Sequence, residues 1–346
     1  MATLETQMID DVIVSTRRKM LTFGGAALAG LALNATKKAD AQTTTVGDTD
    51  ILNFALNLEY LEANFYYLAA FGTTIDVSNS ASTAAGAPKL TIAGPVGTQG
   101  TVSVKASAKV PFTSVAVGSY AVETAVEEGK HVAALQGAIG TNFVAQPMID
   151  LNASFNTLYA AASGASGATF DPFLNDGNFL VGAYIFEDVG VSAYHGAASL
   201  FTTTTTGKAY LAAAAGILAV EAYHAGLIRT TINAMDPAGT TLVPLTNAIS
   251  TLRATLAAAA APVPANTYDP TPDDYGLALQ TVSLAGGANV MASRITNADP
   301  KFTIAFSRNT VQVLNIVTGG KAGTTASPIS PAKGVFFPNG MNGLIK

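Results

Sequence analysis

Two glutamates in this chain each stand three residues before a histidine, in Glu128-Gly-Lys-His131 and Glu221-Ala-Tyr-His224. The 346 residues hold only three histidines and eight glutamates, so random placement does not account for both pairs. On a helix, positions i and i+3 share a face, and each pair offers a carboxylate oxygen and an imidazole nitrogen to one point. Two Glu-x-x-His helices plus a lone Glu on each of two further helices form the ligand set of a dinuclear iron or manganese four-helix bundle. That set demands two more glutamates and four long helices.

Both are present. Beyond residue 41 the glutamates are 59, 62, 123, 127, 128, 187 and 221, and residues 222–346 contain none. Each falls in a stretch with helical periodicity: 48–71, about 114–139, a segment opening at 171 or 175 and ending near 200, and about 208–235. Asp48 or Thr49 is the expected first N-cap, and Gly72 the stop. The chain also looks duplicated. Glu59 is followed seven residues later by Tyr66, Glu187 seven later by Tyr194, and a Glu-x-x-His helix comes after each. The order is that of two helical hairpins related by a pseudo-twofold axis, with four carboxylates and two imidazoles at the centre. Two divalent cations would balance four buried carboxylates. Oxygen-rich ligands with one imidazole per ion favour iron or manganese.

The candidate metal ligands are Glu59, Glu62, Glu128, His131, Glu187, Glu221 and His224. Glu128 and Glu221 are the expected bridging pair, and each histidine binds one ion. Glu59 and Glu62 lie one turn apart on one face; symmetry with Glu187 favours Glu59, with Glu62 a supporting group or extra ligand. Tyr66 and Tyr194 are candidates to hydrogen-bond the carboxylates or to serve as redox-active phenols, against simple packing. Glu123 and Glu127 flank the site or support its ligands, and His195 reads as a structural or surface residue.

The remaining chain qualifies this frame. Residues 72–112 are rich in Gly, Ser, Thr and Pro, and Lys89–Ala93 and Thr101–Lys105 alternate, which predicts an inserted β-hairpin-like excursion. Shorter helices are expected over Pro147–Ala162 and Pro244–Ala260. The bundle domain thus spans 42–261. Residues 262–346 form a C-terminal extension packed on it, with short β-like runs at Phe302–Phe306 and Val311–Val317. Residues 1–41, with Arg17-Arg18 ahead of the apolar run Leu21–Leu33, resemble a twin-arginine export signal, placing the protein in the periplasm or outside the cell. The apolar run is too short for a transmembrane span. The absence of cysteine excludes disulfides and thiolate sites, and a net charge of −5 leaves no basic footprint for nucleic acid.

Leu56-Asn-Leu-Glu-Tyr-Leu-Glu-Ala-Asn-Phe-Tyr66, Glu127-Glu-Gly-Lys-His131, Tyr184-Ile-Phe-Glu-Asp-Val-Gly-Val-Ser-Ala-Tyr-His195 and Glu221-Ala-Tyr-His224, with Ala305-Phe-Ser-Arg308 and Val313-Leu-Asn-Ile316, resemble the ferritin-like superfamily, in its exported, desiccation-related branch. The resemblance implies an all-α core, an up-down four-helix bundle with a dinuclear carboxylate site. Its members include iron oxidases, peroxide-consuming enzymes and manganese catalases. The expected function is redox chemistry on peroxide or O₂, or oxidation of Fe(II). The alternative is a structural or self-assembling stress protein, a possible homo-oligomer, in which the metals only staple the bundle. The insertion and the long C-terminal part set the chain apart from a storage-cage subunit.

Overall fold

The computed structural model describes residues 46–260, 272–320 and 332–346. The export segment expected over residues 1–41 lies outside them.

Four long helices carry the glutamates: α1 (Asp48–Phe71), α3 (Val115–Ile139), α5 (Asp176–Ala197) and α6 (Thr205–Met235), with the short α2 (Ser80–Ala85) inside the insertion. α1 packs most extensively on α3, and α5 on α6, which makes the two hairpins. α1 begins at Asp48 after Gly47, whose amide is capped by the Asp50 carboxylate at 2.9 Å. Ser114, Asn175 and Thr204 cap α3, α5 and α6 through their side-chain oxygens.

The four helices bury different shares of their surface. Nearly every residue from Ile51 to Phe71 of α1 is buried, as is most of α5 from Phe179 to Tyr194, so these two form the apolar centre. A helix apolar on all sides is stable only when enclosed. α6 buries one stripe, Ala214, Ile217, Glu221, His224, Ile228 and Ile232, at three- to four-residue spacing. By length and composition α6 could cross a membrane; here its inner stripe closes the bundle.

The insertion does not close on itself as a hairpin. Its strand β1 (Val102–Ser103) pairs in parallel with β2 (Ile149–Asp150), and Val96 bridges Val144. The amides of Ala145, Gln146, Ile149 and Leu151 donate to the carbonyls of Val96, Ile92, Thr101 and Ser103 at 2.7–3.0 Å. Gly94 and Gly100 permit this approach: a Cβ at either would lie 2.1–2.6 Å from the backbone of 143–148. Alternation marks a strand but says nothing of its partner. The same pairing makes Pro147–Leu151 extended, so the short helix expected from Pro147 starts only at Ala153 (α4, Ala153–Ser163).

In the C-terminal part, α7 (Leu242–Ala258) leads to an antiparallel hairpin, β3 (Leu279–Ser283) with β4 (Asn289–Ser293). The β-like run expected at Val311–Val317 is instead a helix, α8 (Thr310–Thr318), which packs on α7. Asn309 caps it, accepting from Gln312 N at 2.9 Å. A branched apolar run of this length fits either state, and the cap decides.

An ionic network joins this extension to the bundle. Asp188 of α5 meets Arg229 of α6 at 2.9 Å and Arg253 of α7 at 3.1 Å. Arg253 meets Asp274 at 2.8 Å, and Arg308 meets Asp274 at 3.0 Å and Asp273 at 2.9 Å. All three arginines are buried.

Candidate metal centre

The helical hairpins aim six side chains into one interior point. Two four-residue groups result: Glu59, Glu128, His131 and Glu221, and Glu128, Glu187, Glu221 and His224. In each group one donor atom per residue lies within 4.8 Å of the others. Glu128 and Glu221 are common to both. His131 Nδ1 stands 3.4 Å from Glu59 and Glu128 and 3.5 Å from Glu221. His224 Nδ1 stands 3.0 Å from Glu128 and 3.3 Å from Glu187. The four carboxylates are 0–1 % exposed.

The tyrosines cross between the hairpins. Tyr66 of α1 donates to Glu187 of α5, and Tyr194 of α5 donates to Glu59 of α1. This exchange is what a twofold axis between α1 and α5 produces, and it fixes one oxygen of each carboxylate. The other oxygen of each faces the cluster.

A cation pair fits this donor set. Among the described residues, Glu59 Oε2, both oxygens of Glu128 and of Glu221, Glu187 Oε2, and the Nδ1 atoms of His131 and His224 are buried without a hydrogen-bond partner. Buried polar atoms are almost always satisfied, and eight failures at one point call for a missing partner of positive charge. The electrostatics agree. Burial raises Glu221 and Glu187, and with its carboxylate neighbours drives Glu62 well above the usual range. Burial likewise pushes Glu59 up to about 7, against the pull of His131. Burial would raise Glu128 as well, but the two histidines beside it, His131 at 3.4 Å and His224 at 3.0 Å, outweigh it and hold its pKa below the ordinary value. Burial opposes charge on His131 and His224, yet the surrounding carboxylates hold both well above their usual value. Without a cation, protons balance the cluster; a cation binding there displaces them.

Of the expected site residues, Glu59, Glu128, His131, Glu187, Glu221 and His224 come together. Glu62 is 6 % exposed and belongs to neither group. Glu123 is exposed. His195 turns away and bonds the Ala305 carbonyl at 2.9 Å, anchoring the C-terminal segment. Glu127, expected to flank the site or support its ligands, has its Oε2 2.7 Å from His224 Nε2, so it holds the ring with Nδ1 inward. Its place just before Glu128 was the available signal. Nothing in the spacing pointed to Gly190, where a Cβ would lie 2.2 Å from Glu221 Oε2.

A ferritin-like domain family matches residues 47–234, which contain all six of these side chains. The chain belongs to the ferritin-like family. It is 31 % identical over 303 residues to the desiccation-related protein PCC13-62 of Craterostigma plantagineum, covering 86 % of this chain and 83 % of that one. It is 28 % identical over 315 residues to the ferritin-like catalase Nec2 of Nesocodon mauritianus, covering 88 % of this chain and 87 % of the relative. No solved structure matches. At 86 and 88 % of this chain, both similarities reach past residue 234 into the C-terminal extension of this ferritin-like protein.

Proposed function

We propose that this ferritin-like protein binds two iron or manganese ions between its hairpins and performs redox chemistry on a small oxidant, with peroxide disproportionation the leading reaction. The observation that carries this reading is the set of eight unpartnered buried donor atoms shared between two overlapping groups. Glu59 and His131 would hold one ion, Glu187 and His224 the other, and Glu128 and Glu221 both. When bound, such a pair supplies reversible electron storage next to a Lewis-acidic position for the oxidant. The chain's own residues do the rest. Tyr66 and Tyr194 fix the outer carboxylates, and Glu127 orients His224. The apolar shell of α1 and α5 keeps bulk water out. Peroxide serves as both oxidant and reductant, so the cycle needs no reducing partner, and a relative of this chain bears the name catalase. Oxidation of Fe(II) by O₂ is the second reaction this set supports. The Arg17-Arg18 segment supports export after folding, with the metals already in place.

The test is metal analysis after loading with Fe(II) or Mn(II), followed by peroxide-decay and Fe(II)-oxidation assays on the protein and on Glu128→Ala. About two ions per chain with turnover that Glu128→Ala abolishes supports the proposal. Two ions with neither activity would leave a structural staple. Less than about half an ion per chain overturns both readings.

A further inference from the structure

The pseudo-twofold axis relates Glu59 to Glu187 and Tyr66 to Tyr194. Counting along the same helices, it relates Leu58 to Phe186, Ile51 to Phe179, Glu62 to Gly190 and Phe65 to Ala193. These last pairs differ in size or chemistry, so the two approaches to the cluster between α1 and α5 are unlike.

On one approach Phe65 fills the space. Its ring lies 5.3 Å from Phe186, 5.8 Å from Phe179, 5.5 Å from Phe173 and 5.9 Å from Phe155. On the opposite approach the residue equivalent to Phe65 is Ala193, and a cavity of about 20 Å³ remains. Its inner end is formed by Glu59, Glu62, Gly190 and Tyr194, and its outer rim by Ala55, Leu58 and Phe201, all partly exposed. One water-sized molecule needs about 10–15 Å³ by this measure. The cavity therefore has room for a single small molecule of two or three heavy atoms.

Its walls are apolar except at the inner end. There Glu59 and Tyr194 are already bonded to each other. Glu62 belongs to neither four-residue group and, among the described residues, to no ion pair. It is the one carboxyl in the cavity not engaged by the donor set. An apolar passage ending on a single convergent polar group is the usual form of a small-molecule site.

We infer that the Ala193 cavity is the route and docking position of the oxidant, a small uncharged dioxygen species such as peroxide or O₂, with Glu62 as its hydrogen-bonding anchor. This rests on the proposed metal centre. It adds that the two faces of the centre are not equivalent: the Phe65 side is plugged and the Ala193 side is served.

The experiment restores symmetry by filling the cavity. Ala193→Val, Ala193→Leu and Ala193→Phe are loaded with iron or manganese, and azide association is followed by stopped-flow absorbance, with metal content and Tm measured on each. The expected result is a graded fall in azide association, at least tenfold for the largest variant that retains two ions, with metal content unchanged. Glu62→Ala should keep azide association within about twofold, because the passage stays open, while KM for hydrogen peroxide rises at least fivefold. Unchanged azide association in Ala193→Leu and Ala193→Phe, with two ions bound, overturns the route and leaves the metal centre standing. An unchanged KM in Glu62→Ala overturns the anchor. Failure of the wild-type protein to take up metal overturns both this inference and the proposed function.

Discussion

The overlap of the two four-residue groups makes a sharp prediction about metal stoichiometry. Glu59→Gln removes a donor from one group only, whereas Glu128→Gln removes one from both. The expected metal contents are therefore about two ions for the wild type, about one for Glu59→Gln, and close to none for Glu128→Gln. A free metal concentration about 100-fold above Kd stabilises the folded chain by about 2.7 kcal/mol per ion, or about 5.4 kcal/mol for two. For a domain of about 300 residues the unfolding entropy is about 0.6 kcal/mol/K, so two ions raise Tm by about 9 °C and one by about 4 °C. Differential scanning calorimetry with and without metal, paired with metal analysis, reads both quantities. The wild type should shift by about 9 °C, Glu59→Gln by about 4 °C and Glu128→Gln by under about 1 °C. Equal losses in Glu59→Gln and Glu128→Gln would refute the shared-carboxylate geometry. Two ions retained in Glu128→Gln would refute the site itself.

Three more outcomes are expected. Tyr194→Phe removes the donor to Glu59 and Tyr66→Phe the donor to Glu187; each should lower metal affinity about 10- to 100-fold at its own ion and spare the other, measured by competitive chelator titration. Arg253→Met strips Asp188 and Asp274 of a buried partner and should cost about 3–5 kcal/mol in urea unfolding, whereas an effect under about 1 kcal/mol would show that the network is dispensable. Asp236 tests acid stability. Burial would raise its carboxyl, but the amides of Val243, Thr240, Thr241 and Leu242 outweigh it and lower its pKa from 3.8 to about 2. A lowered pKa stabilises the fold above the unfolded value and is lost as pH falls through the folded one. In metal-free protein, Asp236→Asn should therefore narrow the stability lost between about pH 4 and about pH 2; an unchanged acid limb in urea melts would contradict this.

The chemistry was the legible part of this chain. The i+3 spacing of Glu128 to His131 and Glu221 to His224, and the repeated Glu…Tyr interval, follow from helix periodicity, which is local and therefore written in the sequence. What failed to show were the pairings outside the four long helices. β1 was readable as extended, but its pairing with β2 depends on Gly94 and Gly100 passing against residues 143–148. Val311–Val317 suited either state until Asn309 capped it as a helix. The network of Asp188, Arg229, Arg253, Asp274 and Arg308 carries no spacing signal, because its members come from five separate segments.

By itself, then, the sequence determined which helices carry donors and which face of each they occupy, since both depend on residues a few positions apart. The tertiary structure decided that Glu59 groups with His131 and Glu187 with His224, that Glu59 and not Glu62 completes the first group, and that Phe65 closes one approach while Ala193 leaves the other open. Those outcomes depend on how helices cross and how side chains fill the space between them, and close packing makes that a property of the whole assembly, not of any one segment.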